Sequence, residues 1–206
     1  MIINKQNVEQ LAWQKMDNLL PCIVQDASTG KVLMQGYMNS DAIHHTLETG
    51  HVTFFSRSKL RLWTKGETSG HTLDLVQLSA DCDQDSILAL AHPNGPTCHL
   101  GNETCWADAA APDVSFIAEL EQVIASRKGA SPDSSYTANL YSKGIKRIAQ
   151  KVGEEGVETA LAATVKDLDE LKNESADLLY HLLVLLQASD LTLSDVIEVL
   201  KARHAK

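Results

Sequence analysis

The stretch that decides the fold of the C-terminal half is "KVGEEGVETALAATVKDLDELKNESADLLYHLL", residues 151–183. Apolar residues recur in it at the three- and four-residue spacing of amphipathic helices, on both sides of a polar break near 166–169. The pattern therefore predicts a helical hairpin that reverses at this break. Because one side of the hairpin is strongly charged, its apolar stripe has to be buried elsewhere.

Five carboxylates of this hairpin are predicted to converge. They are Glu154, Glu155 and Glu158 on the first helix, and Glu174 and Asp177 on the second. Counted from the break, the two groups fall at similar heights on antiparallel neighbours. Such a cluster would demand a hard cation such as Mg²⁺. The alternative is a solvated acidic face with salt bridges, for example from Lys151 to Glu155.

Two features favour the cation site over the solvated face. Gly153 and Gly156 lie inside the predicted helix, where each costs roughly 1 kcal/mol, which suggests a close backbone approach. Lys143, Arg147 and Lys151 recur every four residues and lead into the acidic cluster. A basic stripe beside a metal site is what a triphosphate with Mg²⁺ would need.

The rest of the chain divides into a strand-rich and a helical part. Residues 1 to about 107 are strand-rich, with a turn at 28–30 and one short helix in "SDAIHHTLETG", with Ser40 as its N-cap and Gly50 just past its end. From residue 115 onward, apolar residues recur only at helical spacing. We predict an α+β domain at 1–107, a linker at 108–114 and an all-α domain at 115–206.

Charge and hydropathy exclude two classes of partner. The 27 acidic residues outnumber the 18 basic ones, giving a net charge of −9, so the broad basic face that nucleic-acid polymers need is missing. No stretch approaches 18 uncharged apolar residues, and the start has no apolar leader segment. The sequence therefore predicts a cytoplasmic protein without membrane contacts, in which disulfides are not expected.

The heptapeptide "ADCDQDS", residues 80–86, carries hard and soft metal ligands side by side. If it is extended, Asp81, Asp83 and Asp85 share one face, which would suit Mg²⁺, and Cys82 points to the other. A solvated acidic turn is the alternative. Two further cysteines follow at 98 and 105 without close CxxC pairs, which favours a catalytic zinc with an open position over a structural one. Burial as small hydrophobes is the alternative for them, and the one expected for Cys22.

A basic segment follows the central strands, in "SRSKLRLWTKGETSGH", residues 56–71. Lys59, Arg61 and Lys65 alternate along one predicted strand face, and Arg57 comes just before them. In an otherwise acidic domain, this pattern indicates an anion site for one or two phosphates. A solvated strand face would produce the same pattern.

Five motifs in the N-terminal half resemble phosphoribosyl-AMP cyclohydrolase of histidine biosynthesis. They are "GYMN", "VTFFSRSK", "LWTKGETSGH", "DCDQD" and "GPTCH…C", in this order. The resemblance implies zinc at Cys82, Cys98 and Cys105, shared across a dimer interface, and Mg²⁺ at the three aspartates. Zinc would supply hydroxide to open the adenine ring. A proton shuttle is also needed, for which His99 is the first candidate and His71 the second.

The C-terminal half resembles the all-α nucleoside triphosphate pyrophosphohydrolases through its EExxE and ExxD motifs, separated by fifteen residues. Together with "SYTANLYSKGIKRIAQ", the motifs resemble phosphoribosyl-ATP pyrophosphohydrolase in particular. The whole chain is thus similar to the fused bifunctional enzymes of histidine biosynthesis. This resemblance implies consecutive steps, with Mg²⁺ in the C-terminal site. "LLYHLLVLL", residues 178–186, is too apolar for a helix packed on one side only, so we expect a homodimer.

Overall fold

The computed structural model describes residues 1–107, 109 and 111–205. Within them the chain forms two compact units, one ending at Ser115 and the other beginning at Phe116. The predicted linker, 108–114, includes Asp108 and Ala110, which lie outside the described residues, and the predicted domain boundaries stay predictions. In the parts of the chain that the structure describes, no helix combines the length and apolar character needed to cross a membrane.

The N-terminal unit is an α+β fold, as predicted. Its elements are β1 (Leu20–Asp26), β2 (Val32–Met38), α1 (Ser40–Thr49), β3 (Thr53–Ser56), β4 (Arg61–Thr64), β5 (Leu73–Ala80) and β6 (Ile87–Pro93). Four strands form a sheet in the order β2-β1-β6-β5, in which only the β1–β6 pair is parallel. β3 and β4 form a separate antiparallel hairpin.

Alternate side chains of β1 and β6 build the core of this unit, because the pleat turns every second residue to one face. Cys22 and Val24 on β1 and Ala89 and Ala91 on β6 are fully buried. Cys22 is therefore a core residue, as expected, and burial raises the pKa of its thiol far above the usual range. The N-cap of α1 is Asn39 rather than the predicted Ser40, since the Asn39 side chain accepts the Ala42 N–H.

The C-terminal unit is helical throughout its regular structure. Its helices are α2 (Ser115–Ser126), α3 (Tyr136–Ser142), α4 (Ile145–Val165), α5 (Leu168–Ala188) and α6 (Leu193–His204). α4 and α5 form the predicted hairpin, and the chain reverses at Lys166, which has a left-handed φ of 60°, and Asp167, which caps α5. The buried core of the unit consists of Ile124, Leu140, Ile148, Leu183 and Val184. The predicted fold class is confirmed.

Candidate active sites

Three carboxylates of the α4–α5 hairpin converge. Ligand oxygens of Glu155, Glu158 and Glu174 all lie within 4.8 Å of one another. The hairpin causes this, because its reversal at 166–167 sets the two helices antiparallel at matching heights. Glu155 is 4% exposed, so its carboxylate is fixed by packing rather than solvated. Three convergent oxygens fit a hard divalent cation, as the sequence predicts.

The other two predicted carboxylates, Asp177 and Glu154, lie outside the convergent trio. Asp177 is exposed and lies close enough to Glu174 to help raise the pKa of that carboxyl. Glu154 points elsewhere: its carboxylate pairs with Arg147 at 3.1 Å and with Lys151 at 3.0 Å. Lys151 also contacts Glu155, which is the salt bridge named in the solvated-face alternative. That ion pair and the carboxylate cluster therefore coexist.

The predicted basic stripe is interrupted. Gly144, with a φ of 80°, separates α3 from α4, and Lys143 caps the end of α3. Only Arg147 and Lys151 share a helix face, one turn apart and next to the carboxylates. The expected close backbone approach is found at neither helix glycine: a Cβ at Gly153 would meet nothing within 4 Å, and one at Gly156 would meet only the Leu178 side chain at 3.9 Å.

Within the trio, the pKa values of Glu155 and Glu174 are shifted in opposite directions. The hydrogen bond from Lys151 lowers the pKa of Glu155. Desolvation, and then the carboxylates of Glu155, Glu158 and Asp177, raise the pKa of Glu174. Since a raised pKa means that the ionised form is disfavoured in the folded protein, Glu174 at neutral pH opposes folding until a cation offsets the repulsion.

We therefore expect Mg²⁺ to stabilise the helical unit in a pH-dependent way. At neutral pH Mg²⁺ should raise its unfolding temperature, because the cation relieves the repulsion at Glu174. As the pH falls through the raised pKa of Glu174, a proton replaces the cation and the gain should shrink. Circular dichroism at 222 nm would follow the helices, while Trp13, Trp63 and Trp106 report on the other unit. An equal gain at pH 5 and pH 8 would contradict this prediction.

Sequence reasoning missed a histidine and an aromatic pair beside the trio. His181 is 4% exposed and lies 3.8 Å from Glu155, between its Nδ1 and a carboxylate oxygen. Its Nε2 lies 3.0 Å from the hydroxyl of Tyr136, on α3. Tyr180 and Thr137 are joined by a second α3–α5 hydrogen bond of 2.7 Å. These residues lie over 40 positions apart in sequence, so only the polar, aromatic character of "SSYTANLY" and "LLYHLL" could have suggested them.

The three aspartates of the N-terminal unit also converge, but in a different backbone conformation from the predicted one. Ligand oxygens of Asp81, Asp83 and Asp85 lie within 4.8 Å of one another. The segment is a loop rather than an extended strand, since β5 ends at Ala80 and β6 begins at Ile87. Its fold comes from the Asp81 carboxylate, which accepts the N–H groups of Asp85 and Ser86. The alternation argument is therefore wrong, although the cluster that it predicted exists.

A lysine in a 3₁₀ helix near the N-terminus, Trp13–Met16, supplies positive charge beside the aspartates. Lys15 Nζ lies 2.8 Å from Asp83 and 3.3 Å from Asp85. Its hydrogen bond lowers the pKa of Asp83, and Asp83 in turn raises the pKa of Lys15. The ammonium lies against two of the three carboxylates, so a divalent cation at this loop would have to displace it.

Two of the three predicted zinc ligands meet within one chain. Cys98 lies close enough to Cys105 to affect the pKa of its thiol. Burial, and then Cys98, raise the pKa of Cys105, whereas the ammonium of Lys65 lowers it. Among the described residues, only the two carboxylate trios form a convergent group of three or more such ligands, so Cys82 does not join the pair. Two soft donors so placed are compatible with a soft metal ion such as zinc.

The four basic residues do not form the predicted strand face. Lys59 lies in the turn between β3 and β4, and Arg57 stacks over the ring of Tyr37 at 3.9 Å. Arg61 pairs with Glu67 through two hydrogen bonds. Lys65 is 7% exposed and donates to the carbonyl of His71 at 2.8 Å. The alternation fails because β4 is only four residues long and ends before Lys65.

Of the two candidate shuttle histidines, only His99 contacts a cysteine of the pair among the described residues. His99 Nδ1 is 4.0 Å from the Cys98 sulfur. His71 Nδ1 is 3.1 Å from the carbonyl of Asn94. Because a carbonyl can only accept, Nδ1 of His71 carries the hydrogen and its Nε2 holds a free lone pair. The Asn94 side chain also donates to Asp74, which pairs with His51, a network that the sequence did not suggest.

Comparison with known proteins gives consistent results for both units. Residues 34–107 match the phosphoribosyl-AMP cyclohydrolase family, and residues 117–204 match the phosphoribosyl-ATP pyrophosphohydrolase family. A Yersinia pestis relative, "Histidine biosynthesis bifunctional protein HisIE", is 62% identical over 205 residues, covering 100% of both chains. Relatives of the same name from Salmonella typhimurium (60% over 203 residues) and Pasteurella multocida (62% over 200 residues) cover 98% and 96% of this chain and 100% of their own.

A helical unit with three converging carboxylates is the architecture of an all-α nucleotide pyrophosphohydrolase, and this chain joins it to a strand-rich unit of the cyclohydrolase type. With relatives at about 60% identity along its full length, the chain belongs to the bifunctional family of histidine biosynthesis that joins phosphoribosyl-AMP cyclohydrolase to phosphoribosyl-ATP pyrophosphohydrolase. It is a hydrolase with both activities. The predicted family and enzyme class are confirmed.

Proposed function

We propose that the two activities use separate metal sites, which lie in different units of the chain. The helical unit hydrolyses phosphoribosyl-ATP to phosphoribosyl-AMP and pyrophosphate at Glu155, Glu158 and Glu174, with Asp177 beside them. The strand-rich unit then opens the adenine ring of phosphoribosyl-AMP at the cysteine site. The observation that carries the proposal is the convergence of the α4 and α5 carboxylates, because three carboxylate oxygens at this separation suit a divalent cation.

In the helical unit, Mg²⁺ bound by the trio would offset the charge of the triphosphate. Arg147 and Lys151 lie at the edge of the trio, where they would contact phosphate oxygens. Lys151 keeps Glu155 ionised by lowering its pKa, so that this carboxylate is ready to bind the cation. His181 packs against Glu155 from the α5 side and limits its rotation.

In the strand-rich unit, zinc held by Cys98, Cys105 and a Cys82 from a second chain would supply hydroxide at neutral pH. Lys65 offsets part of the negative charge that three thiolates bring to this region. His71 is the better-oriented proton shuttle, because its Nε2 lone pair is left free by the contact with Asn94. His99 is the other candidate. Arg57 and Lys59, in the β3–β4 turn, would hold substrate phosphates, and the Asp81–Asp85 loop would bind Mg²⁺.

One coupled assay tests the whole scheme. Phosphoribosyl-ATP is supplied to the full-length protein, and pyrophosphate release and ring opening are followed separately. We expect pyrophosphate to appear first and phosphoribosyl-AMP to rise and then decay. Ring opening of phosphoribosyl-ATP before any pyrophosphate is released would contradict this order. The cytoplasmic location stays a prediction from the sequence.

Exposed apolar residues on α4 support the homodimer. Val157, Leu161 and Val165 recur every four residues and are 59% to 71% exposed. Leu168, at the start of α5, extends this stripe. The segment 178–186, from which the dimer was predicted, buries Leu183 and Val184 in the unit's own core, so the stripe on α4 is the stronger reason to expect a partner.

We therefore expect the protein to sediment with about twice its chain mass of 22.5 kDa. Leu161→Glu should shift the protein toward the monomer on dilution, because a charge on the stripe cannot be buried against its copy. Leu191→Glu, at a residue that is also exposed but lies in the loop after α5, is the control and should leave the dimer intact. A monomeric unmodified protein at micromolar concentration would contradict the prediction.

A further inference from the structure

A cavity of about 450 Å³ in the helical unit connects charged and aromatic groups. It is lined by Tyr136, Lys151, Glu155, Asp177, Tyr180 and His181. The charged end contains Glu155, which we assign to the metal, with Asp177 beside it and Lys151, which we assign to the triphosphate. The aromatic end therefore lies where the base of a nucleotide bound through its phosphates would reach.

Tyr136 presents its ring to this cavity instead of burying it. It is 58% exposed, yet its hydroxyl is held 3.0 Å from Nε2 of the buried His181. His181 Nδ1 lies 2.8 Å from the carbonyl of Asp177, which can only accept, so Nδ1 carries the hydrogen. In the neutral ring Nε2 then accepts the Tyr136 hydroxyl. The hydroxyl of Tyr136 is thus fixed by a hydrogen bond, while its ring stays accessible from the cavity.

Tyr180 extends this aromatic surface. Its ring centroid lies 6.2 Å from that of Tyr136, and the two rings are tilted by 35°. Its hydroxyl is joined to Thr137 at 2.7 Å, and burial raises its pKa, so it stays a neutral hydrogen-bonding group. The two rings form one aromatic wall whose position is set by hydrogen bonds to α3 and α5.

The charged end of the cavity cannot distinguish phosphoribosyl-ATP from ATP, since both carry the same triphosphate. The two molecules differ at N1 of adenine, where phosphoribosyl-ATP has a sugar. Substitution at N1 makes an adenine base much more basic, so that it is a cation at neutral pH, whereas the base of ATP is neutral. Aromatic faces attract cations, and Asp177 adds a carboxylate to the same cavity.

We propose that Tyr136 and Tyr180 form a specificity subsite that selects the cationic, N1-substituted adenine over the neutral adenine of ATP. The proposal rests on the pyrophosphohydrolase activity assigned to this unit. It gives the rings a role in ligand selection and leaves the chemical step to the carboxylates. Without such a subsite, ATP would compete for the same carboxylates and basic residues.

The test compares three ligands that resist cleavage or lack a base. They are α,β-methylene-ATP, its N1-methyl derivative and inorganic tripolyphosphate, each titrated calorimetrically with Mg²⁺ into the full-length protein. The two nucleotides differ only by a methyl group and the charge that it brings. We expect the unmodified protein to bind the N1-methyl derivative more tightly than the parent nucleotide.

Tyr136→Leu should reduce this selectivity ratio by about fivefold, within the range of one cation–π contact. Tyr136→Phe keeps the ring and should keep most of the ratio. Tripolyphosphate should bind all variants equally, because it never reaches the aromatic wall. Phe116→Leu, at an exposed aromatic residue of the same unit that does not line the cavity, is the matched control.

Three results would overturn the proposal: an unchanged ratio in Tyr136→Leu, an equal loss for both nucleotides, or a comparable loss for tripolyphosphate. The last would mean that the substitution damages the whole site. Failure of the pyrophosphohydrolase assignment would show separately, as a lack of pyrophosphate release from phosphoribosyl-ATP by the unmodified protein.

Discussion

Cys98→Ala is expected to abolish ring opening of phosphoribosyl-AMP and to leave pyrophosphate release from phosphoribosyl-ATP within about twofold of normal. Cys98 is buried, contacts Cys105 and belongs to the strand-rich unit, whereas the carboxylate trio belongs to the helical unit. Loss of one sulfur donor would remove the proposed zinc site and leave the trio unchanged. Supplied with phosphoribosyl-ATP, this variant should accumulate phosphoribosyl-AMP.

Metal analysis of the same proteins separates a metal ligand from a residue of the core. The unmodified chain should hold about one zinc, and the Cys98→Ala variant should lose it. Cys22→Ala is the matched control, because Cys22 is a fully buried cysteine of β1 and is expected to keep both zinc and ring opening. Ring opening by an unmodified protein that holds no zinc would contradict the assignment of zinc to this activity. Loss of both activities in Cys98→Ala would show that the two sites depend on each other.

The sequence predicted those parts of the fold that depend on local pattern. The α4–α5 hairpin and the meeting of carboxylates from both helices followed from helical spacing and a polar break, because antiparallel helices of known rise bring residues at equal distances from a turn together. Five carboxylates were predicted to converge, and three do. The aspartate cluster was predicted from alternation along an extended strand, whereas in the structure a loop brings the three aspartates together. Three aspartates so close in sequence converge in a turn as readily as on a strand.

The features that the sequence failed to predict are breaks in the backbone and contacts between segments far apart in the chain. The basic stripe was wrong because Gly144 adopts a φ of 80° and ends α3 before α4 begins. The charge partner of the aspartates, Lys15, lies 68 positions from Asp83 in sequence. His181 and Tyr136 are 45 positions apart. Neither contact leaves a periodic signal, since each depends on how whole elements pack.

The burial of Lys65 is a third kind of failure. Its place in "LWTKGE" suggested an exposed strand face, but β4 ends at Thr64 and the lysine turns inward toward Cys98 and Cys105. Desolvation lowers its pKa, and the hydrogen bond to the His71 carbonyl compensates part of that cost. A lysine that is charged yet buried marks a site that needs a positive charge, which alternation alone cannot show.

Glu158→Gln is expected to reduce pyrophosphate release by at least about a hundredfold while ring opening of supplied phosphoribosyl-AMP stays normal. Glu158 belongs to the convergent trio, but it is exposed, so its replacement removes a metal oxygen without leaving a cavity. Affinity for Mn²⁺ at the helical unit, measured directly by titration, should fall in parallel. The loss should be in metal binding and turnover, and the helices should unfold at an unchanged or higher temperature in metal-free buffer, because one of the repelling charges is gone.

Two further substitutions decide whether this effect belongs to the trio or to acidic residues in general. Glu170→Gln changes an exposed glutamate in the first turn of α5, outside the trio, and should leave pyrophosphate release unchanged. Glu154→Gln is the more informative comparison, because Glu154 is next to the trio in sequence but its carboxylate contacts Arg147 and Lys151. If metal binding decides the activity, Glu154→Gln should leave the affinity for Mn²⁺ near normal and change mainly the KM for phosphoribosyl-ATP, through the freed basic residues. Equal losses of Mn²⁺ affinity in Glu154→Gln and Glu158→Gln would show that all four glutamates share one site, against the geometry described.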